Sequence, residues 1–367
     1  MSPLHREHLR EIEEALKKPP NLSVVVMPDF FIDRIVSLNL SAEEFLAKIA
    51  DKIARKGGSI DGVSQAIFRG GNAVNTASAL AKLGAKVTPI VCTDKLGIKL
   101  IRHFLRGLSI SLSHVKVKPE ASLTTALEFQ ANYGKANIML RSLGSLESFS
   151  PEDLNESDWR AIAEADYVYI SNWAGMRMYG TELIEAVFRY VKSHGRGRTY
   201  LDTADPTPNM EKAPELIKRV MQTGLVDILS LNENEATFYA SQLNEVSNCC
   251  GILNQEELAL KCSKLLSKHM PSRVDLHTTS FSATIQSGDV KAMVSTFPVK
   301  ALRVTGAGDA WNAGNILGYA YGLSDAARLI LANAIAAYYI SSPSGNHPTR
   351  IETLKFLDGF KHPYQNK

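Results

Sequence analysis

Residues 70–92 read Gly-Gly-Asn-Ala-Val-Asn-Thr-Ala-Ser-Ala-Leu-Ala-Lys-Leu-Gly-Ala-Lys-Val-Thr-Pro-Ile-Val-Cys. From Gly70 an alanine-rich helix is expected to run to Leu83 and to close at Gly84, because glycine best tolerates the left-handed turn at a helix end. Lys86 to Cys92 then reads as a buried strand, which makes the stretch a β-turn-helix-β unit. Upstream, Leu22-Ser-Val-Val-Val-Met27 is a short β-branched run of the kind that becomes a buried strand, ending at Pro28-Asp29. A second strand is expected at Arg34–Leu38 and a helix from Ser41 to Lys56, broken by Gly57-Gly58.

Downstream the pattern changes. Between Ile110 and Leu143, short alternating segments at Leu112–Val117, Leu123–Phe129 and Asn137–Leu140 predict the strands of a small lid. Apolar runs at Tyr167–Ile170, Arg198–Leu201, Ile228–Leu231 and Val274–Leu276 then alternate with helical stretches, which predicts a doubly wound α/β sheet. Gln242–Gln255, rich in Asn, Ser and Cys, reads as a loop. The expected organisation is an N-terminal amphipathic arm over 1–20, a solvent-exposed helix stopped by Pro19-Pro20, and one domain over 21–367 with a lid drawn from about 29–66 and 110–143.

Composition narrows the function. The 41 basic and 38 acidic side chains of the 367 residues leave a formal charge of +3, too weak a field to argue for nucleic acid or a membrane surface. Cys92, Cys249, Cys250 and Cys262 show neither zinc-ligand spacing nor good disulfide spacing, which fits a reducing compartment. With no signal-peptide pattern and no membrane-length apolar run, a cytoplasmic protein is expected.

Four motifs carry chemistry. Val304-Thr305-Gly306-Ala307-Gly308-Asp309-Ala310-Trp311 follows a strand-like segment and opens a helix. Small residues there let backbone amides approach a phosphate, and Asp309 stands where a carboxylate can accept the proton of an attacking hydroxyl; the alternative is a glycine turn with Asp309 as a cap. Phe68-Arg69-Gly70-Gly71-Asn72-Ala73-Val74-Asn75 puts two amide side chains at a helix start, suited to sugar hydroxyls or to capping. Asp29 and Asp33, just past the first strand, are placed to bind a polyol or to serve a turn. Asn232-Glu-Asn-Glu235 puts oxygen ligands at a strand's carboxyl end, suited to water-mediated Mg²⁺ or to a helix cap.

In this order the segments resemble the ribokinase, or pfkB, family of carbohydrate kinases over about Val24 to Ile340. The resemblance implies a ribokinase-like three-layer α/β/α sheet with a β lid, an anion hole from Gly306, Ala307 and Gly308, and Asp309 as catalytic base. It further implies substrate contacts from Asp33, Gly70, Gly71 and Asn75, and nucleotide contacts from Thr305 and the glycines. Asn232 and Glu235 match its N-x-x-E motif and are expected to organise Mg²⁺ and the phosphates of ATP or ADP. Lid strands in this family often pair across a dimer, which implies a homodimer.

Two departures sharpen the expectation. Arg303-Val304 stands where the family usually has Asp-Thr, an aspartate that often helps to hold a monovalent cation, which argues against a potassium site. His277-Thr278-Thr279 lacks the glycines of the usual nucleotide run and is similar to a His-Thr pair in ADP-dependent members of the same fold; His277 equally suits a structural strand histidine. Arg69 and Arg303 flank the expected site and suit a phosphorylated acceptor, the donor nucleotide, or pairing with Asp29. ADP-preferring archaeal relatives make ribose 1-phosphate the specific acceptor expected. An ATP-dependent nucleoside or unphosphorylated-sugar kinase is the alternative, and a non-catalytic sensor that kept the fold is the competing class. A dinucleotide oxidoreductase is disfavoured because no G-x-G-x-x-G follows Met27.

Overall fold

The structure, a computed structural model, describes residues 6–131, 134–243, 254–303, 305–343 and 345–361. Most of the loop expected at Gln242–Gln255, with Cys249 and Cys250, lies outside the described residues. The strands in chain order are β1 (Ser23–Met27), β2 (Phe31–Ser37), β3 (Ser64–Gly70), β4 (Lys86–Pro89), β5 (Cys92–Thr93), β6 (Lys116–Val117), β7 (Ser122–Ala131), β8 (Gly134–Ser142), β9 (Tyr167–Ser171), β10 (Arg198–Asp202), β11 (Ile228–Leu231), β12 (Arg273–His277), β13 (Phe281–Gln286) and β14 (Asp289–Ser295).

Eight of these form one sheet in the order β14-β13-β12-β11-β10-β9-β1-β4, parallel from β4 through β12, with β13 and β14 antiparallel at one edge. Side chains alternate across a strand, so β1 divides its residues between two cores. Val25 and Met27 pack with the helices Gly180–His194 and Gln255–His269, whereas Val24 and Val26 pack with Asn72–Lys82, Ala307–Ala320 and Asp325–Ser341. Burial on both faces is why the strands read as continuous apolar runs, and the three-layer α/β/α expectation holds. The strand expected at Lys86–Cys92 is divided: Lys86–Pro89 pairs with β1, the Ile90 amide still donates to the Val26 carbonyl at 2.9 Å, and Cys92–Thr93 pairs with Lys116–Val117.

The second sheet has the order β3-β2-β7-β8. Ser64–Gly70 was not among the expected strands, because Ile67 and Phe68 are adjacent and break any alternation. Residues 110–117 stay with the main body: Ile110 bridges Val87, and Lys116–Val117 joins β5.

The N-terminal helix Arg6–Leu16 departs from its expected role. Instead of standing in solvent, it buries Leu9, Ile12 and Leu16 in the same core as the Asp325–Ser341 helix. Ser324 Oγ donates to Glu11 Oε2 at 2.6 Å, and Arg350 Nη1 donates to the Leu16 carbonyl at 2.8 Å. No helix among the described residues is long and apolar enough to cross a membrane.

Candidate active site

The N-termini of two helices, Asn72–Lys82 and Ala307–Ala320, meet at the carboxyl ends of the central strands. Gly306 precedes the second helix at φ 87°, a conformation that costs a side-chain-bearing residue energy, and a Cβ there would lie 2.7 Å from the Tyr339 hydroxyl. First-turn amides have no acceptor within their own helix, so the N–H groups around Gly306–Gly308 are open to an anion.

Asp309, in that first turn, is 4% exposed. Its Oδ1 accepts from Asn72 Nδ2 at 2.8 Å and its Oδ2 from Asn75 Nδ2 at 3.1 Å. Burial pushes the carboxyl well above its usual range and the nearby Asp202 adds to the rise, while Asn75 and Asn72 oppose it. Asn72 was not singled out from Asn75 in the sequence, yet it makes the shorter of the two bonds.

Asp33 and Gly70 face one another across the lid edge. A Cβ at Gly70 would fall 2.1 Å from Asp33 Oδ2, so only glycine leaves room for that carboxylate. Burial raises the Asp33 pKa to about 6 against a hydrogen bond from Thr124 and the charge of Arg141. Gly71, at φ 92°, brings backbone against Asp29 and Phe30, where a Cβ would lie 2.9 Å from each.

Asp29 takes a different part from the substrate contact expected of it. It is fully buried; Oδ2 accepts from the Asn72 amide and from Asn172 Nδ2, each at 2.9 Å, and Oδ1 accepts from the Ala73 amide at 2.8 Å. It caps the N-terminus of the Asn72–Lys82 helix from the connection between β1 and β2 rather than from the helix's own flank.

Arg69 is on the face of the lid opposite Asp33. In the β2–β3 register Arg69 stands opposite Ile32, one step out of phase with Asp33 opposite Phe68, so it projects from the other face. There Arg69 Nη2 donates to His347 Nδ1 at 3.2 Å, and the His347 ring stacks on Tyr339 with centroids 4.6 Å apart. Arg303 Nη2 donates to the Pro343 carbonyl at 3.0 Å, and Tyr339 donates to the Thr305 carbonyl at 3.2 Å. The two arginines thus frame the back of the Gly306 turn. Sequence alone did not show which face of β3 Arg69 occupies.

On the opposite side of Asp309 lie the nucleotide-side candidates. His277 ends β12 with its Cε1 3.4 Å from the place a Gly308 Cβ would take, and its ring packs on Trp311 at 4.8 Å. Burial lowers its pKa to about 4, so the imidazole is neutral near pH 7. Thr278 Oγ1 donates to the Phe281 carbonyl at 2.9 Å, and Thr279 Oγ1 donates to Glu256 Oε1 at 2.8 Å. Thr305 is exposed at the head of the anion turn.

Asn232 and Glu235 form a capping box: Glu235 Oε2 accepts from the Asn232 amide at 2.9 Å and Oε1 from Asn232 Nδ2 at 2.7 Å. Burial, then the charge of Asp202, push the Glu235 carboxyl well up, and both residues line a cleft with Asp205 and Asn234. Among the described residues no group of three or more His, Cys, Asp or Glu has the placement of a direct metal site. With both oxygens of Glu235 bonded to Asn232, the set fits a cation held through its water shell better than one ligated directly.

A carboxylate at the mouth of a ring of open amides can take a proton from a hydroxyl while a phosphoryl group is held beside it. Such a site at the carboxyl end of a doubly wound sheet defines a small-molecule phosphotransferase. The chain belongs to the pfkB family of carbohydrate kinases, whose family model matches residues 43–352. Ribokinase from Haemophilus influenzae is 24% identical over 308 residues, covering 83% of this chain and 92% of the relative. Ribokinase from Bacillus subtilis is 24% identical over 317 residues, covering 85% and 95%. Among solved structures, ribokinase from Arabidopsis thaliana complexed with ribose and ATP superposes with a TM-score of 0.66 at 22% identity, covering 93% of this chain and 99% of that one. Adenosine kinase from Sinorhizobium meliloti gives a TM-score of 0.67 at 19% identity over the same shares. The chain is therefore a sugar or nucleoside kinase with the ribokinase fold.

Proposed function

We propose that the chain transfers a phosphoryl group from a nucleotide, ADP or ATP, to a hydroxyl of a small sugar, with ribose 1-phosphate the specific acceptor to try first. Asp309 acts as the base, the amides of Gly306, Ala307 and Gly308 hold the transferred group, and Asp33, Gly70, Gly71, Asn72 and Asn75 surround the acceptor. The observation that carries this reading is the Asp309 carboxylate fixed on both oxygens by Asn72 and Asn75 beside an open helix N-terminus. The ribose and ATP of the Arabidopsis relative support a sugar acceptor and a nucleotide donor.

Mg²⁺, held through water at Asn232 and Glu235, supplies charge neutralisation for the donor phosphates when bound. ADP use is supported by the nucleotide-side wall: His277 lies under Gly308, and Thr279, tied through its amide to Glu233 and through its hydroxyl to Glu256, puts a side chain where the family usually has glycine.

The test is a two-way assay of purified ADP and ATP against ribose, ribose 1-phosphate and nucleosides, read as donor consumption, with Asp309→Asn as control. Transfer that depends on Asp309 is the expected result. Consumption of ATP alone refutes the ADP assignment and leaves the kinase; no transfer to any acceptor refutes the catalytic reading.

A further inference from the structure

At the level of Asp33 the lid carries a row of facing residues: Phe68 on β3, Asp33 on β2, Thr124 on β7 and Arg141 on β8. Residues directly opposite in adjacent strands share a face, and Thr124 hydrogen-bonds Asp33, so Arg141 is on the Asp33 side of the sheet. β8 is two strands from β2, about 9–10 Å away at ordinary strand spacing. The guanidinium carbon nevertheless lies only 5.1 Å from the Phe31 ring centroid, on β2. Arg141 is therefore folded back across β7 toward the cleft, with its stem and cation resting on a buried ring.

Its charge reaches Asp29 and Asp33, lowering the pKa of each against burial. Among the described residues no carboxylate stands within ion-pairing distance of Arg141, although the residue is exposed. Asp29 is not available to it, being bonded to Asn72, Ala73 and Asn172. The side chain is held in place while its N–H groups remain open. A guanidinium in that condition presents a planar fork suited to a phosphate monoester.

We propose that Arg141 recognises the phosphate of an acceptor that is itself a sugar monophosphate, a reading that rests on the kinase assignment above. The acceptor lies with its phosphate at Arg141, ring hydroxyls at Asp33 and the reacting hydroxyl at Asp309. In the transfer, the hydroxyl O–H bond breaks and its proton passes to Asp309. A new P–O bond forms as the donor's bridging P–O bond breaks, the electron pair leaves on the departing nucleotide, and the phosphate at Arg141 is unchanged. This places on Arg141 one of the roles, the grip on an acceptor phosphate, that sequence reading left open for Arg69 and Arg303.

The test compares wild type, Arg141→Met and Arg141→Lys with ribose 1-phosphate, ribose 5-phosphate and ribose, in steady-state assays and in calorimetric titrations without nucleotide. The proposal expects Arg141→Met to raise KM and Kd for the preferred sugar phosphate about 10–100-fold, the scale of a lost charged hydrogen bond, with kcat within about threefold. Ribose should be affected less than about threefold, lysine should restore part of the loss, and the melting temperature should hold near that of wild type. Equal losses for ribose and the sugar phosphates overturn the proposal, as does a wild-type enzyme that binds ribose more tightly than either sugar phosphate. The titrations keep it separate from the kinase reading: sugar phosphate bound through Arg141 with no turnover would sink the kinase assignment alone.

Discussion

Asn72 Nδ2 donates to Asp309 Oδ1 at 2.8 Å across 237 positions of sequence, joining the first turns of two helices from opposite ends of the chain. Burial and Asp202 raise the pKa of Asp309, and the amides of Asn75 and Asn72 oppose that rise. Replacing Asn72 with Ala removes one of the two opposing groups, so the carboxyl keeps its proton to a higher pH. The acid limb of kcat against pH should move upward, and a limb unmoved by the substitution contradicts this account.

Asp309→Asn should lower turnover by about 10²–10⁴-fold, the usual contribution of a general base, because the amide keeps the shape and loses the proton acceptor. Nucleotide affinity, measured by titration, should stay within a few-fold. Near-wild-type turnover would remove Asp309 from the role of base.

Asp33 titrates with its folded pKa raised to about 6 from 3.8. The folded state thus favours the neutral carboxyl: the stabilisation from this group is complete below about pH 3.8 and is lost as pH rises through about 6. In the proposed function the effect runs the other way, because an acceptor hydroxyl would donate to the ionised oxygen. The kcat/KM for acceptor should fall as pH drops through about 6, and Asp33→Asn should melt higher than wild type at pH 8. A lower melting point for the variant at that pH contradicts the sign.

Gly70→Ala places a methyl 2.1 Å from Asp33 Oδ2, closer than atoms tolerate. One of the two must shift, and the carboxylate is the freer. KM for the acceptor should rise at least about tenfold while KM for the nucleotide changes little; parallel changes in both would point to general loss of structure.

Exchanging sodium for potassium should change turnover less than about twofold, because the Arg303 guanidinium, bonded to the Pro343 carbonyl and lying 5.9 Å from the Tyr339 ring centroid, already puts a fixed cation behind the Gly306 turn. A large and selective rise with potassium would show that a separate cation site exists.

The layer architecture was legible in sequence because parallel strands buried on both faces are apolar runs that stand out between helices, as at Tyr167–Ser171. The helix starts after Gly71 and Gly306 were legible because glycine and short amide side chains are enriched there, although the same residues also serve plain caps. What stayed hidden depends on register and on distant partners. The face of β3 that Arg69 occupies follows only from its pairing with Ile32, and the cap formed by Asp29 needs Asn172, 143 positions away. Arg141 carried no local signal at all. The N-terminal helix was different, since Leu9, Ile12 and Leu16 display helical spacing; its dense charge outweighed that stripe in the reading of a solvated arm.

That helix sets a schedule for biosynthesis. Glu11 is bonded to Ser324, 313 positions later, so the apolar stripe of the first helix leaves the ribosome long before the helices that cover it exist. At translation speeds of ~5–20 residues per second the interval is roughly 15–60 s. Throughout it the Arg6–Leu16 stripe lacks the Asp325–Ser341 helix that covers it, and Asp309 is made only near the close of the same interval. The pairing of Asn72 with Asp309 and the docking of the Arg6–Leu16 helix therefore both wait for the end of that interval.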